Sequence, residues 1–166
     1  MLKHVSKYKS SISKAVKERG KINIPALPLD LNQVQNLCQI FEENKIIDED
    51  KSFLLDQFKN RIIPGVDETS YLKANFLNRI CQGEINSDLI SKNQAVNILG
   101  SMQGGYNVEI LTKLLDNEEL GHIACQELKN TLLIFDYYYD VEKKFKNGNK
   151  YAEELLNSWA EAEWFY

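Results

Sequence analysis

Apolar residues recur at helical spacing along most of this chain, and no stretch shows the strict alternation of a half-buried strand. In the first segment, Leu2 to Arg19, the stripe is Val5, Tyr8, Ile12 and Val16, and Gly20 marks a stop. Asn23 to Leu29, with Pro25 and Pro28, predicts an extended connector. Asp30 followed by Gln33 is a capping box that opens a helix with Val34, Leu37, Cys38 and Phe41 facing inward. Asn44 to Asp50 reads as a polar loop, and Phe53 to Arg61 as the next helix, ended by Pro64-Gly65. Asp67 starts another, which turns Leu72, Phe76, Leu77 and Ile80 inward and stops at Gly83. Ser91 with Gln94 is a second capping box, Ile90 and Ala95 form its hydrophobic staple, and the helix runs to Gly100. Asn107 is expected to cap the following helix, with Tyr106 and Leu111 as staple and Leu111, Leu114 and Leu115 as stripe. From Asn117 a long helix is expected, carrying Leu120, Ala124, Leu128, Thr131, Leu132 and Phe135 on one face. Tyr137 to Tyr139 fit no single assignment. Asn147-Gly148 is a stop, and Asn149 caps a last helix with Tyr151, Leu155, Trp159 and Ala162 at helical spacing.

Short helices in sequence, joined by short loops, predict an all-α fold of antiparallel helix pairs. Leu72-Lys73-Ala74-Asn75-Phe76-Leu77 echoes Leu128-Lys129-Asn130-Thr131-Leu132-Leu133, which suggests irregular HEAT-like pairs stacked as an α-solenoid superhelix. The length fits one domain over residues 1–166. Within it, residues 1–21 form a basic N-terminal helix and residues 149–166 a C-terminal helix leading toward further domains. Hydrophobic content of 43% and charged content of 27% are ordinary for a globular chain, whose core needs no disulfide or metal. Cys38, Cys81 and Cys125 are widely spaced and unpaired in pattern, as expected of small buried side chains in a reducing compartment. No apolar run spans a membrane and no secretory h-region follows the start, so a cytoplasmic protein is expected.

Charge is unevenly distributed. Residues 1–21 hold Lys3, Lys7, Lys9, Lys14, Lys17, Arg19 and Lys21 against Glu18 alone, although the whole chain carries −4. Such an arm is a solvated helix face, a transit peptide (Ser6, Ser10, Ser11 and Ser13 fit one), or a contact for a membrane surface, an acidic partner or RNA, for which Lys3, Lys7, Lys14 and Lys17 are the candidates.

Catalytic patterns are sparse. Glu119-x-x-His122 is half of a di-iron motif, but the chain has one other histidine, His4, so a solvated surface histidine is expected. Leu99 to Asn107 holds Gly100, Gly104 and Gly105, three of the eight glycines, yet lacks the Lys and Ser/Thr of a phosphate loop. A helix end, a tight turn and a new helix start explain it. No serine lies in a nucleophile elbow. Trp164, Phe165 and Tyr166 run consecutively on a helix, so they cannot all face one core, and a surface for further domains is expected there.

Several ordered stretches resemble the N-terminal domain of the aconitase B family of bacterial aconitate hydratases. They are Phe53-Leu54-Leu55-Asp56, Asn60 to Glu68, Tyr71-Leu72-Lys73-Ala74 with Phe76-Leu77, and Gly100 to Asn107. Thr131-Leu132-Leu133, Phe135-Asp136, Tyr139 to Glu142, Gly148-Asn149, Ser158-Trp159-Ala160 and Ala162 to Phe165 continue the likeness, which runs from about Leu27 to Phe165. The resemblance implies a HEAT-like helical domain, without catalytic or metal-binding residues, that precedes a mobile domain and three catalytic domains. It implies that the whole enzyme interconverts citrate and isocitrate through cis-aconitate on a four-iron, four-sulfur cluster held by later domains. None of the three cysteines here matches a cluster ligand. Contact with the remaining aconitase domains is implied, with Gln103, Gly104, Gly105, Tyr106, Trp164, Phe165 and Tyr166 as candidate residues. Homodimerisation and RNA binding on loss of the cluster are also implied. The alternative is a stand-alone RNA-binding or adaptor protein that uses its basic helix.

Overall fold

The computed structural model describes residues 3–131 and 135–162, and these are all helical or loop. The elements are α1 (Lys3–Gly20), α2 (Leu31–Glu43), α3 (Asp48–Asn60), α4 (Glu68–Cys81), α5 (Lys92–Gly100), α6 (Tyr106–Leu114) and α7 (Gly121–Lys129). A 3₁₀ turn (Phe135–Tyr137), α8 (Tyr138–Lys146) and α9 (Lys150–Ala160) complete the chain. The all-α class is as the sequence predicts.

Side-chain caps fix where α2, α4, α5 and α9 begin. Asp30 and Ser91 each make a reciprocal capping box, with Gln33 and Gln94. The Asn149 side chain accepts from the amides of Tyr151 and Ala152. The Asp67 carboxylate accepts from Thr69 Oγ1 and from the amides of Thr69 and Ser70, and these bonds hold it below the usual carboxylate range.

Three boundaries differ from the sequence expectation. The loop after α2 is shorter, because Asp48, Glu49 and Asp50 already form the first turn of α3, where acid opposes the positive helix end. Asn107 does not cap α6; Gly105 holds that position, and buried Asn107 lies inside the first turn. Its Nδ2 donates to the carbonyls of Leu99 (2.8 Å) and Met102 (3.3 Å), so it ties α6 to the end of α5. The helix expected from Asn117 is split. Asn117 Oδ1 caps a turn at Glu119 and Leu120, and α7 proper begins at Gly121 and ends at Lys129. Phe135 is exposed in the 3₁₀ turn, and α8 follows as a separate helix. Leu132 and Leu133 lie outside the described residues.

Neighbours in space alternate with neighbours in sequence. α1 packs on α2, α2 on α4, α4 on α5, α5 on α7, α7 on α9 and α9 on α8, with α6 against α4, α5 and α7. One end of the core centres on Phe41, Phe58 and Phe76, from α2, α3 and α4, whose ring centroids lie 5.3 to 6.1 Å apart. That spacing is favourable for edge and tilted aromatic contacts. At the other end Leu155 and Trp159 of α9 are buried, with Trp159 Nε1 donating to the Leu128 carbonyl at 3.4 Å. Val5, Tyr8 and Ile12 of α1 are buried as predicted, but Val16 is exposed. α1 has 18 residues and its partner α2 has 13, so the later turns of α1 have less to pack on.

Lys73 is an unusual core member, 4% exposed. Its ammonium donates to the Lys59 carbonyl in the last turn of α3 (3.1 Å) and lies 5.5 Å from the Phe58 ring centre. Burial, with Lys59 nearby, lowers its pKa to about 8.

Two outcomes are expected. Trp159→Ala, a core deletion, should destabilise the chain by about 3–5 kcal/mol in urea melts, whereas half-exposed Phe145→Ala should cost well under that. For Lys73, the charged form is disfavoured in the fold, so its burden is full below about pH 8 and fades as pH rises toward the unfolded value of 10.5. The stability of Lys73→Met relative to the parent should therefore fall between those pH values, and a pH-independent difference would refute the assignment.

Candidate functional site

Two loops far apart in sequence meet at one surface. The first follows α3 and runs through Ile63, Pro64, Gly65 and Val66 to the Asp67 cap. Buried Ser70 holds its shape, accepting from the Gly65 amide (3.1 Å) and donating to the Ile63 carbonyl. The second is the turn between α5 and α6. Gly104 and Gly105 take φ of +89° and +94°, a left-handed backbone that side-chain-bearing residues rarely adopt. Gly104 also presses against the first loop: a Cβ there would stand 2.5 Å from the Gly65 oxygen and 3.0 Å from a Val66 methyl. Nothing comparable faces Gly105.

Tyr106 completes the junction. Its hydroxyl donates to the Val66 carbonyl at 2.8 Å, and its ring meets Tyr71 of α4 edge-on at 5.5 Å. The surface that results is apolar and open, with Val66 69%, Tyr71 59% and Ile63 42% exposed. Exposed large apolar groups gathered on one face mark interaction sites more often than scattered ones do. Of the residues singled out from the sequence, Gln103, Gly104, Gly105 and Tyr106 fall here, with Gln103 exposed. Ile63, Val66 and Tyr71 were not singled out, because only the meeting of the loops gives them a role. Trp164, Phe165 and Tyr166 lie outside the described residues.

The same turn also borders a cleft of about 370 Å³ lined by Gly100 to Gly105, Asn107, Asn130 and Thr131. A larger cleft, about 830 Å³, lies away from this surface, between α6, α8 and the start of α9. Several of its polar groups pair with one another: Lys113 with Glu109 at 2.5 Å, Lys144 with Asp116, and Asn149 Nδ2 with the Leu115 carbonyl at 2.9 Å.

The basic helix divides. Lys9 pairs with the buried carboxylate of Asp50 and lies 5.4 Å from the Phe53 ring centre, which fastens α1 to α3. Arg19 Nε donates to the Pro25 carbonyl at 2.6 Å. Lys7, Lys14 and Lys17 are exposed, and the side chain of Lys3 is outside the described residues. His122 is exposed, and Glu119 faces Lys92 at 3.6 Å.

The cysteines do not fit an iron–sulfur cluster, which needs several thiolates converging on one centre. Cys38, Cys81 and Cys125 are buried on α2, α4 and α7, and burial pushes their thiols up to about 12, 11 and 11. No group of three or more His, Cys, Asp or Glu placed to hold a metal ion occurs among the described residues.

Fold and surface together define an all-α domain whose most developed feature is an exposed face built from two loops. Residues 11–165 match the model of the aconitate B N-terminal domain. The chain is 47% identical over 152 residues to aconitate hydratase B of Escherichia coli, covering 92% of this chain and 17% of that protein. The enzymes of the same name from Salmonella typhimurium and Pseudomonas aeruginosa are each 45% identical over 152 residues, with the same coverage. The chain belongs to the aconitate B N-terminal domain family. It spans about 17% of the length of these relatives. The match begins at residue 11, inside α1, and not near Leu27 as the sequence reading suggested. No helix among the described residues is long and apolar enough to cross a membrane.

The glycines should respond unequally. Gly104→Val adds strain at positive φ and a collision with the Gly65 backbone, and is expected to cost more than Gly105→Val, which adds strain alone. Gly148→Ala, also at positive φ but in open space, should be mildest. Thermal melts of the three variants rank them, and equal shifts for Gly104 and Gly105 would rule out a close approach of the two loops.

Proposed function

We propose that this chain serves as the N-terminal docking domain of an aconitate hydratase B and carries none of the reacting groups itself. The enzyme's other domains interconvert citrate and isocitrate through cis-aconitate on a four-iron, four-sulfur cluster. This domain packs against them and limits access to the active site. The observation that carries the reading is the open apolar face of Ile63, Val66, Tyr71 and Tyr106, held rigid by the contact between Gly104 and Gly65. A rigid apolar face loses little conformational entropy on docking. Membership in the family and the length of its relatives supply the partner: the chain that follows the domain. A second copy of the domain is the other occupant considered, since the resemblance implies a homodimer.

The alternative reading, RNA binding through α1, rests on Lys7, Lys14 and Lys17, which are exposed and share one stripe at 100° per residue. RNA affinity that falls steeply with salt and is lost in the triple alanine variant would favour it.

The docking face is tested by joining this chain to the portion that follows the N-terminal domain in the Escherichia coli relative. Val66→Asp should shift the stability of the 166-residue chain by no more than about 0.5 kcal/mol, as for a surface change. In the joined protein it should raise the rate of limited proteolysis at the domain junction by about tenfold, the effect of losing roughly 1.4 kcal/mol of docking. Unchanged proteolysis would exclude this face as the contact. Concentration-dependent dimers of the 166-residue chain, lost in Val66→Asp, would reassign it to a second copy.

A further inference from the structure

Among the short helices of the second half, α8 has the least to hold it. α5 buries Ala95, Val96, Ile98 and Leu99, and α7 buries Ala124, Cys125 and Leu128, whereas α8 buries Val141 alone. A helix of nine residues is marginal in water unless its apolar side chains are covered. Most of those on α8 are open. Tyr138 and Phe145 are half-exposed and recur at helical spacing, so they stand in one row along the helix. Tyr139 is 75% exposed, with its ring edge-on to Tyr138 at 5.7 Å, and Phe135, just before the helix, is 83% exposed. Aromatic rings gathered in this way mark a contact surface.

The path of the chain says what covers it. α8 and α9 are joined by a tight turn, in which the amides of Gly148 and Asn149 donate back to the carbonyls of Phe145 (2.8 Å) and Lys144 (3.0 Å), and the two helices pack on each other. α9 therefore doubles back, and its far end lies toward Phe135 and Tyr138. Trp159 fixes that end by binding the Leu128 carbonyl near the end of α7, and from α7 the chain reaches Phe135 within a few residues. The relatives continue well past α9, since this chain spans about 17% of their length. A segment tethered so near meets the patch at a high effective concentration, which favours it over a separate molecule. We propose that Phe135, Tyr138, Tyr139 and Phe145 are covered by an apolar stretch of the chain immediately beyond residue 166, and that this contact completes the packing of α8. The inference rests on the reading of this chain as one domain of a longer enzyme. It adds a second contact, which shares no residue with the face around Val66.

Amide hydrogen exchange of α8 tests the contact in two settings, the 166-residue chain and the protein joined to the following portion of the Escherichia coli relative. Joining should slow exchange across Tyr138–Lys146 by at least about tenfold. The double variant Phe135→Ser, Tyr139→Ser should abolish that gain and leave the melting temperature of the 166-residue chain unchanged, since both side chains are mostly exposed. Equal exchange in the two settings, or a gain that survives the double variant, would overturn the proposal. Slowing that appears in the 166-residue chain as its concentration rises would assign the patch to a second copy instead. Val66→Asp separates the two contacts: the gain in α8 should persist in it, because the tether acts without the docked face. Loss of the gain there would make α8 depend on whole-domain docking and overturn the adjacent segment as its cover. Junction proteolysis that responds to Val66→Asp, with no change in α8 on joining, would overturn this contact and leave the docking reading standing. A gain in α8 with proteolysis indifferent to Val66→Asp would support this contact and remove the face around Val66.

Discussion

Four of the helices, α5, α6, α7 and α8, are nine residues long, and a helix that short does not hold its shape in water by itself. Everything in the second half of the domain follows from that constraint. Each short helix persists because a neighbour covers its apolar stripe, and α7 is the shared neighbour, packed by α5, α6 and α9. Close approach is what makes the arrangement work, and two glycines mark where it is closest. A Cβ at Gly121 would stand 2.7 Å from the Tyr151 ring of α9, and Gly100 of α5 lies under the Glu127 side chain. Between them Ala124, Cys125 and Leu128 are fully buried. Small residues at the crossings and larger ones between them let a short helix touch several others.

The same constraint bears on why the candidate surface is made largely of loops. A nine-residue helix with its apolar stripe buried has little side-chain surface left, so the connections between helices carry what remains. They are unusually well determined here. Asn107 satisfies the end of α5, Ser70 and Asp67 fix the loop before α4, and Tyr106 binds the Val66 carbonyl across the junction. Exposed Val66 and Ile63 therefore sit on a scaffold that hydrogen bonds have already ordered. Apolar groups on an ordered loop make a better contact surface than the same groups on a floppy one, because less freedom is lost on docking.

Local signals in the sequence were legible where a single residue type decides a boundary. The capping boxes at Asp30 and Ser91 and the Asn149 cap are in place, and so are the stops at Gly20, Gly83 and Gly148. What failed was anything settled by a distant partner. Asn107 looks like a cap, yet the Leu99 carbonyl of α5 and the Met102 carbonyl just beyond it claim its amide. The stripe from Leu120 to Phe135 looks continuous, yet Asn117 caps a turn and α7 ends at Lys129. Repetition misleads in the same way: Lys73 and Lys129 occupy matching places in the sequence echo, but Lys73 is buried over Phe58 and Lys129 pairs with Glu154. Of the surface, the glycine turn was readable, since paired glycines announce positive φ. Val66 and Tyr71 were not, because each meets Tyr106, a residue on another element.

Charge shows how far a count can mislead and what corrects it. Seven basic residues in the first 21 suggest a uniformly basic arm. Helical periodicity sorts them, since each residue turns about 100° from the last. Lys7, Lys14 and Lys17 fall within a narrow sector, whereas Lys9 and Arg19 lie toward the side of Val5, Tyr8 and Ile12. The structure uses them accordingly: Lys9 neutralises Asp50, Arg19 holds the Pro25 carbonyl, and the outer lysines face solvent. Part of the charge that seemed available for a partner therefore fastens α1 to the domain. The basic character of α1 is a structural requirement before it is a binding property, and any claim on a polyanion rests on the outer stripe alone.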